Sequence, residues 1–219
     1  MKDREASPHL ERESKGDCYS AGERAWMEYG QQLRGRWLGP WLSLLTKARV
    51  SPDHLTIVSL MFGLAFGPLW YFECKWLAVI ALALHVAVDG LDGPLARFQE
   101  LASPRGSFTD SFCDQLVVST VVITLMLGPP HLSVFAGSTF LVLYAGVLAI
   151  AMVRSALQIP YSWLVRPRFF LFLAIPLNLL DVPDSVPIVV WVSNALLAVK
   201  LATGFFKLRT RLDGPERKS

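Results

Sequence analysis

The sequence predicts an all-α integral membrane protein with six transmembrane helices, preceded by an amphipathic juxtamembrane helix. Hydrophobic residues make up 53% of its 219 residues, and its mean hydropathy is +0.40. Both values exceed those of a typical soluble domain of this size. The apolar residues also form runs close to the roughly 20 residues that cross a bilayer core of about 30 Å. The predicted spans are 55–72, 76–97, 108–128, 133–153, 161–182 and 186–206.

The chain before the first span divides into two parts. Residues 1–20 are polar with mixed charge, and we interpret them as a disordered cytosolic tail. Residues 21–50 are predicted to form a helix on the membrane surface, because Trp37, Trp41 and Leu44 recur at helical spacing among basic residues. A lid over a lipid site is the alternative interpretation of that helix.

The transmembrane domain is predicted to cover residues 51–206, with a basic cytosolic tail at 207–219. Ser51, Pro52 and Asp53 indicate where its first helix begins, since they supply an N-cap, a proline at the first helical position and an acid in the first turn.

The distribution of positive charge predicts that both termini are cytosolic. With the N-terminus inside, the outer turns contain Lys75 as their only basic residue, out of 21 in the chain. The other basic residues cluster at membrane edges and the net charge is only +3. We therefore expect anionic lipid headgroups as their partners and no nucleic acid. Cys18, Cys74 and Cys113 have neither disulfide-framework nor zinc-ligand spacing.

Four aspartates fall inside the second and third predicted spans: Asp89, Asp92, Asp110 and Asp114. One aspartate at the centre of a membrane helix costs about 2.5–3.5 kcal/mol, so these four need a compensating positive charge. Asp89 lies about 20 Å along its helix from the outer end of its span, and Asp114 lies about 21 Å from the outer end of the next. Antiparallel helices therefore bring the four carboxylates together in the cytosolic third of the bilayer.

A cluster of oxygen ligands without histidine or cysteine favours Mg²⁺ or Mn²⁺. Four carboxylates suffice for two ions about 3.5–4 Å apart, an arrangement that supports phosphoryl displacement, and one carboxylate can also accept a proton. Two alternatives stay open: protonated or arginine-paired acids that stabilise helix packing, and a cation or proton transporter. Pro94 is expected to kink the second span and release the carbonyl of Gly90.

The spacing D-x-x-D-G-x-x-A-R-x8-G-x3-D-x3-D, which runs from Asp89 to Asp114, resembles the signature of the CDP-alcohol phosphatidyltransferase family. The resemblance covers about residues 34–206 and includes the segment 51–56. It implies an enzyme of phospholipid biosynthesis in the cell (inner) membrane that transfers a phosphatidyl or related group from CDP-diacylglycerol to an alcohol and releases CMP. It also implies a cytosolic active site and a homodimer.

The resemblance also implies roles for individual residues. Asp89, Asp92 and Asp110 correspond to metal ligands, and Asp114 corresponds to the general base and a ligand of the second ion. The residues that correspond to the pocket for the CDP donor are Asp53, Thr56, Gly93, Ala96, Arg97 and Gly106.

The acceptor alcohol is not determined by the motif. Asp110 and Ser111 followed by Asp114 are similar to members that use inositol phosphate, although Gln115 stands where those often have arginine. Glycerol 3-phosphate, serine and other alcohols therefore stay open. Arg154, Arg166 and Arg168 are candidates for binding an acceptor phosphate, with membrane anchoring as the alternative. His85 either orients Asp89 or is satisfied within the helix bundle.

Overall fold

The computed structural model describes residues 38–157 and 166–212, and the regular secondary structure in those two ranges is entirely helical. Helix α1 covers residues 38–47 of the described chain. The other helices are α2 (Pro52–Tyr71), α3 (Lys75–Phe98), α4 (Pro104–Leu127), α5 (Val134–Ala156), α6 (Pro167–Leu179) and α7 (Ser185–Leu212).

Five helices, α2 to α5 and α7, are long and apolar enough to cross a membrane, which fits an integral membrane protein. Helix α6 has 13 residues, so it extends about 20 Å and is shorter than a bilayer core of about 30 Å. The predicted span 161–182 begins in the segment 158–165, which lies outside the described residues. A sixth crossing therefore stays a prediction.

Ser-Pro pairs begin two of these helices. The Ser51 hydroxyl accepts a hydrogen bond from the His54 amide at 3.3 Å, and His54 Nδ1 accepts one from the Ser51 amide, so the predicted N-cap is confirmed. Ser103 caps α4 in the same way by accepting from the amide of Gly106 at 3.1 Å. Helix α4 therefore begins at Pro104, earlier than the predicted start of the third span, because its capped first turn is polar and precedes the apolar run.

The structure describes only part of the outer segments, and the placement of the predicted helix 21–50 on the membrane surface stays a prediction. The predicted tail 1–20 and most of the predicted surface helix 21–50 lie outside the described residues. At the other end, α7 continues to Leu212, so residues 207–212 are helical where a tail was predicted. Basic side chains in the last turn of α7, Arg209 and Arg211, suit the negative end of its dipole.

Helix α2 packs against both α3 and α4, and α7 packs against α5 and α6. Gly63 makes the close approach of α2 to α4 possible, because a Cβ at this position would lie 3.1 Å from Cβ of Val117 and even nearer to its methyl groups. Helix α6 also contacts α3. The polar residues of α3, α4 and α6 are therefore brought together beside a buried core that includes Phe66, Val121, Phe140, Leu171 and Val190.

Helix α3 runs without interruption through Pro94 to Phe98. A broken helix of the kind that often carries acids in transporters is therefore absent at this point of the described chain. The expected kink and the release of the Gly90 carbonyl stay predictions.

Candidate active site

Three carboxylates meet between α3 and α4. One oxygen from each of Asp89, Asp92 and Asp110 lies within 4.8 Å of the other two. Asp89 and Asp92 share a face of α3 because they are three residues apart, and Asp110 lies in the second turn of the antiparallel α4. Oxygens bound to one Mg²⁺ at about 2.1 Å lie about 3–4.2 Å apart. Small adjustments of these side chains would thus form a divalent-cation site, so the donor set fits Mg²⁺ or Mn²⁺.

Asp114, the fourth predicted member, is joined to this cluster through Arg168. The guanidinium of Arg168 forms one ion pair with Asp114 and a second with Asp89, where Nη2 lies 2.9 Å from Oδ2. The side chains of Asp89 and Asp114 are only 12% and 13% exposed. The other carboxylate oxygen of Asp114, Oδ1, is buried and has no hydrogen-bond partner among the described residues.

Arg168 occupies an unusual position for a cation. It is the second residue of α6, where the helix dipole is unfavourable to positive charge, and it is only 5% exposed. Burial of an uncompensated guanidinium is strongly destabilising. The two carboxylates offset both effects, and the ring of Phe169 lies 4.8 Å from the guanidinium carbon. The ion pairs therefore fix the start of α6 against α3 and α4.

Thr56 on α2 holds the third carboxylate of the cluster. Its hydroxyl lies 3.0 Å from Oδ2 of Asp92, and both residues are buried. The donor-pocket role that the family resemblance implies for Thr56 stays a prediction, whereas its direct contact with a candidate metal ligand is observed. Asp53, three residues earlier, is exposed in the first turn of α2.

His85 is satisfied within the helix bundle. Its Nδ1 lies 2.7 Å from the hydroxyl and 3.1 Å from the carbonyl oxygen of Ser59, and its ring meets the edge of Phe172. The described structure contains no hydrogen bond between His85 and Asp89. The contact between Ser59 and His85 joins α2 to α3. On α2 it lies one turn after the contact of Thr56 with Asp92.

The other predicted donor-binding residues lie at the same end of α3 and α4. Gly93 and Ala96 are half-buried on α3, and Arg97 is exposed one turn after Gly93. The Arg97 guanidinium passes 3.6 Å from where a Cβ on Gly93 would lie, so a side chain there would touch it. Gly106 donates its amide to the Ser103 cap at 3.1 Å. Their role in binding the donor, and the cytosolic location of this end of the two helices, stay predictions.

The three arginines proposed for the acceptor phosphate have different surroundings. Arg168 contacts the carboxylates, Arg166 is exposed at the N-cap of α6, and Arg154 is buried in the last turn of α5.

Two structural roles were missed by sequence reasoning. Ser59 was not singled out, although it shares a face of α2 with Thr56 at a spacing of three residues. Pairing of the aspartates with an arginine was an open alternative, but Arg168 was not identified as the partner. Pro167 at the first position of α6 was a signal that Arg168 begins a helix, but no local pattern indicates which helices that turn contacts.

Comparison with known protein families gives a match that covers most of the helices and the aspartate motif. A family model described as CDP-alcohol phosphatidyltransferase matches residues 49–206. The chain belongs to the CDP-alcohol phosphatidyltransferase family. The matched region contains the whole segment from Asp89 to Asp114 as well as Arg168.

Curated relatives in this family include two with similar extents of alignment. An archaetidylinositol phosphate synthase of Aeropyrum pernix is 29% identical over 119 residues, which is 54% of each chain. The inner membrane protein YnjF of Escherichia coli is 32% identical over 135 residues, which cover 58% of this chain and 63% of that protein. The chain thus spans less than two thirds of the length of the curated relatives it matches.

Solved structures with the same fold include the phosphatidylinositol phosphate synthase of Mycobacterium tuberculosis. Its apo form matches with a TM-score of 0.66 at 17% identity, covering 78% of this chain and 95% of that one. Its complex with manganese and citrate matches with a TM-score of 0.65 at 18% identity, covering 78% and 88%. These similarities show that the family fold is present here.

Proposed function

We propose that this protein transfers a phosphatidyl or related group from CDP-diacylglycerol to an alcohol and releases CMP. The observation that carries the proposal is the meeting of Asp89, Asp92 and Asp110 beside Asp114, all within the family-matched region. The Mycobacterium tuberculosis synthase that shares the fold has been solved with CDP-DAG bound and in complex with manganese, which supports a lipid-linked donor and a metal-dependent reaction.

In this proposal the carboxylates of Asp89, Asp92 and Asp110 would hold Mg²⁺ or Mn²⁺, and Asp89 and Asp114 would hold a second ion. Bound ions of this kind neutralise the diphosphate of the donor and stabilise the charge that develops during phosphoryl transfer. Arg97, exposed on α3, is placed to contact the donor. Thr56 keeps the Asp92 carboxylate in place through its hydrogen bond.

Asp114 acts as the general base. Its Oδ1 is without a hydrogen-bond partner among the described residues, so it can accept the proton of an acceptor hydroxyl. The oxygen of that hydroxyl then forms a bond to the phosphorus beside diacylglycerol. The bond between this phosphorus and the CMP oxygen breaks, and CMP leaves with the bonding electron pair.

The acceptor in this proposal carries a phosphate, as inositol phosphate and glycerol 3-phosphate do. The exposed Arg166 at the N-cap of α6 and the helix N-terminus beside it favour an anion at this position. Relatives of this chain include an archaetidylinositol phosphate synthase and a CDP-diacylglycerol–glycerol-3-phosphate 3-phosphatidyltransferase, which supports a phosphorylated acceptor.

The proposed topology places the protein in the inner membrane with six crossings. Both termini and the active site face the cytosol. Cys74 is exposed in the predicted outer turn between α2 and α3. A membrane-impermeant maleimide added to intact cells should label Cys74 and should spare a cysteine placed at Arg209 until the membrane is permeabilised. The reverse labelling pattern would contradict the topology.

The activity is tested with purified full-length protein, CDP-diacylglycerol, Mn²⁺ or Mg²⁺ and a panel of alcohols that includes inositol phosphate, glycerol 3-phosphate and serine. We expect CMP release that depends on metal and on a phosphorylated acceptor, and that disappears in Asp110→Asn. Absence of metal-dependent CMP release across the panel would overturn the proposal. Cation uptake into liposomes that Asp110→Asn abolishes would then indicate a transporter.

A further inference from the structure

The guanidinium of Arg168 occupies the space between two carboxylates that come from different helices. Each of its two terminal nitrogens contacts a different carboxylate: Nη2 contacts Asp89 on α3, and Nη1 contacts Asp114 on α4. The carboxylates of Asp92 and Asp110 form no ion pair with a basic residue in the described chain. One part of the carboxylate cluster is thus open to a cation, while the part formed by Asp89 and Asp114 already holds one.

A cation cannot enter the second position while the guanidinium stays there. Arginine does not lose its proton in proteins, so it cannot give way by becoming neutral. A divalent ion between Asp89 and Asp114 would lie within a few ångströms of the guanidinium, and the two positive charges would repel strongly in this partly buried site. The ion must therefore displace the guanidinium.

We infer that Arg168 is a built-in counter-cation for the second metal position and that it competes with the second divalent ion for Asp89 and Asp114. The inference rests on the proposed function, because it assumes the metal site described there. It assigns Arg168 as a positioning residue that keeps the metal-free site intact. The first ion, which Asp89, Asp92 and Asp110 would hold, needs no such displacement.

Direct measurement of Mn²⁺ binding tests the inference without any lipid donor or acceptor. Equilibrium titration of the full chain in detergent, followed by electron paramagnetic resonance of free Mn²⁺, gives the number of ions and their affinities. In the wild type we expect one ion to bind tightly and a second more weakly. Arg168→Gln removes the competing charge, so the second ion should bind about tenfold more tightly while the first changes by less than about threefold.

Arg168→Lys and Arg166→Gln are the matched variants. Lysine keeps the charge but has one terminal nitrogen in place of two, so Arg168→Lys should raise the affinity of the second ion by about threefold. Arg166→Gln removes an exposed positive charge two residues earlier and should leave both affinities within about twofold of the wild type. If Arg166→Gln raises the affinity for the second ion as much as Arg168→Gln does, the cause is a general effect of positive charge, and the inferred competition is wrong.

Thermal unfolding gives an independent readout. Metal-free Arg168→Gln should melt below the metal-free wild type, because two carboxylates lose their partner, and saturating Mn²⁺ should raise its midpoint by more than that of the wild type. If Arg168→Gln is not recovered as folded protein, the affinity of Arg168→Lys for the second ion decides the question.

Two outcomes separate the inference from the function on which it rests. The competition is overturned if the second ion binds Arg168→Gln no more tightly than it binds the wild type, or if both proteins bind only one ion. Either result is still consistent with the proposed metal site. Absence of Mn²⁺ binding to the wild type overturns both.

Discussion

The hydroxyl of Thr56 lies 3.0 Å from a carboxylate oxygen of Asp92 and joins the first turn and a half of α2 to the candidate metal centre on α3. Both residues are buried, so the orientation of Asp92 depends on this contact. Partners that orient a metal ligand commonly contribute about 10- to 100-fold to metal affinity or activity.

Thr56→Val should therefore weaken metal binding by about 10- to 100-fold, because valine has the same shape without the hydroxyl. The Mn²⁺ concentration for half-maximal CMP release measures this effect. Thr56→Ser, which keeps the hydroxyl, is the control and should stay near wild type. If Thr56→Val instead raises KM for CDP-diacylglycerol at unchanged metal dependence, the residue contacts the donor as the family resemblance implied.

Asp114→Asn should retain binding of CDP-diacylglycerol and lose turnover by about 10²- to 10⁴-fold, since an amide cannot accept the proton of the acceptor hydroxyl. Donor binding by calorimetry and CMP release under saturating Mn²⁺ separate the two effects. Asp110→Asn provides the contrast, because it should lose metal binding as well. Turnover close to wild type in Asp114→Asn would remove this residue as the general base.

Ser59→Ala should destabilise the protein by about 1–3 kcal/mol, because it leaves Nδ1 of the buried His85 without its closest hydrogen-bond partner. Its Mn²⁺ affinity should match that of the wild type, in contrast to Thr56→Val. The midpoint of thermal unfolding in detergent measures the first effect. Thr203→Ala is the control, since that exposed hydroxyl bonds only carbonyls of its own helix, and a loss as large as that of Ser59→Ala would argue against the interhelical contact.

Gly63→Ala should lower the free energy of unfolding by about 1–3 kcal/mol, because its new methyl group meets the stiff side chain of Val117 and pushes α2 away from α4. Gly39→Ala on α1 is the matched control, since nothing lies within 4 Å of the added group. Thermal unfolding of both variants compares them directly. Equal stabilities would show that α2 and α4 tolerate a wider separation.

Local sequence patterns predicted much of the helical framework. Apolar runs located the five long helices, although α7 extends to Leu212, beyond its predicted end at residue 206, and Ser51 with Pro52 marked the start of α2. The start of α4 at Pro104 was missed because its first turn is polar, although Ser103 with Pro104 repeats the same capping signal. Residue counts along two antiparallel helices also predicted that the aspartates of α3 and α4 meet, because a short connection leaves such helices few ways to pack.

By itself, then, the sequence determined the membrane class, the family motif and the meeting of Asp89, Asp92 and Asp110. Helical periodicity and the short link between α3 and α4 fix these relations locally. Only the tertiary structure decided that Arg168, 79 residues after Asp89, lies between Asp89 and Asp114. That contact depends on how α6 packs against α3 and α7, which is the sum of many side-chain surfaces from distant parts of the chain and has no local signature.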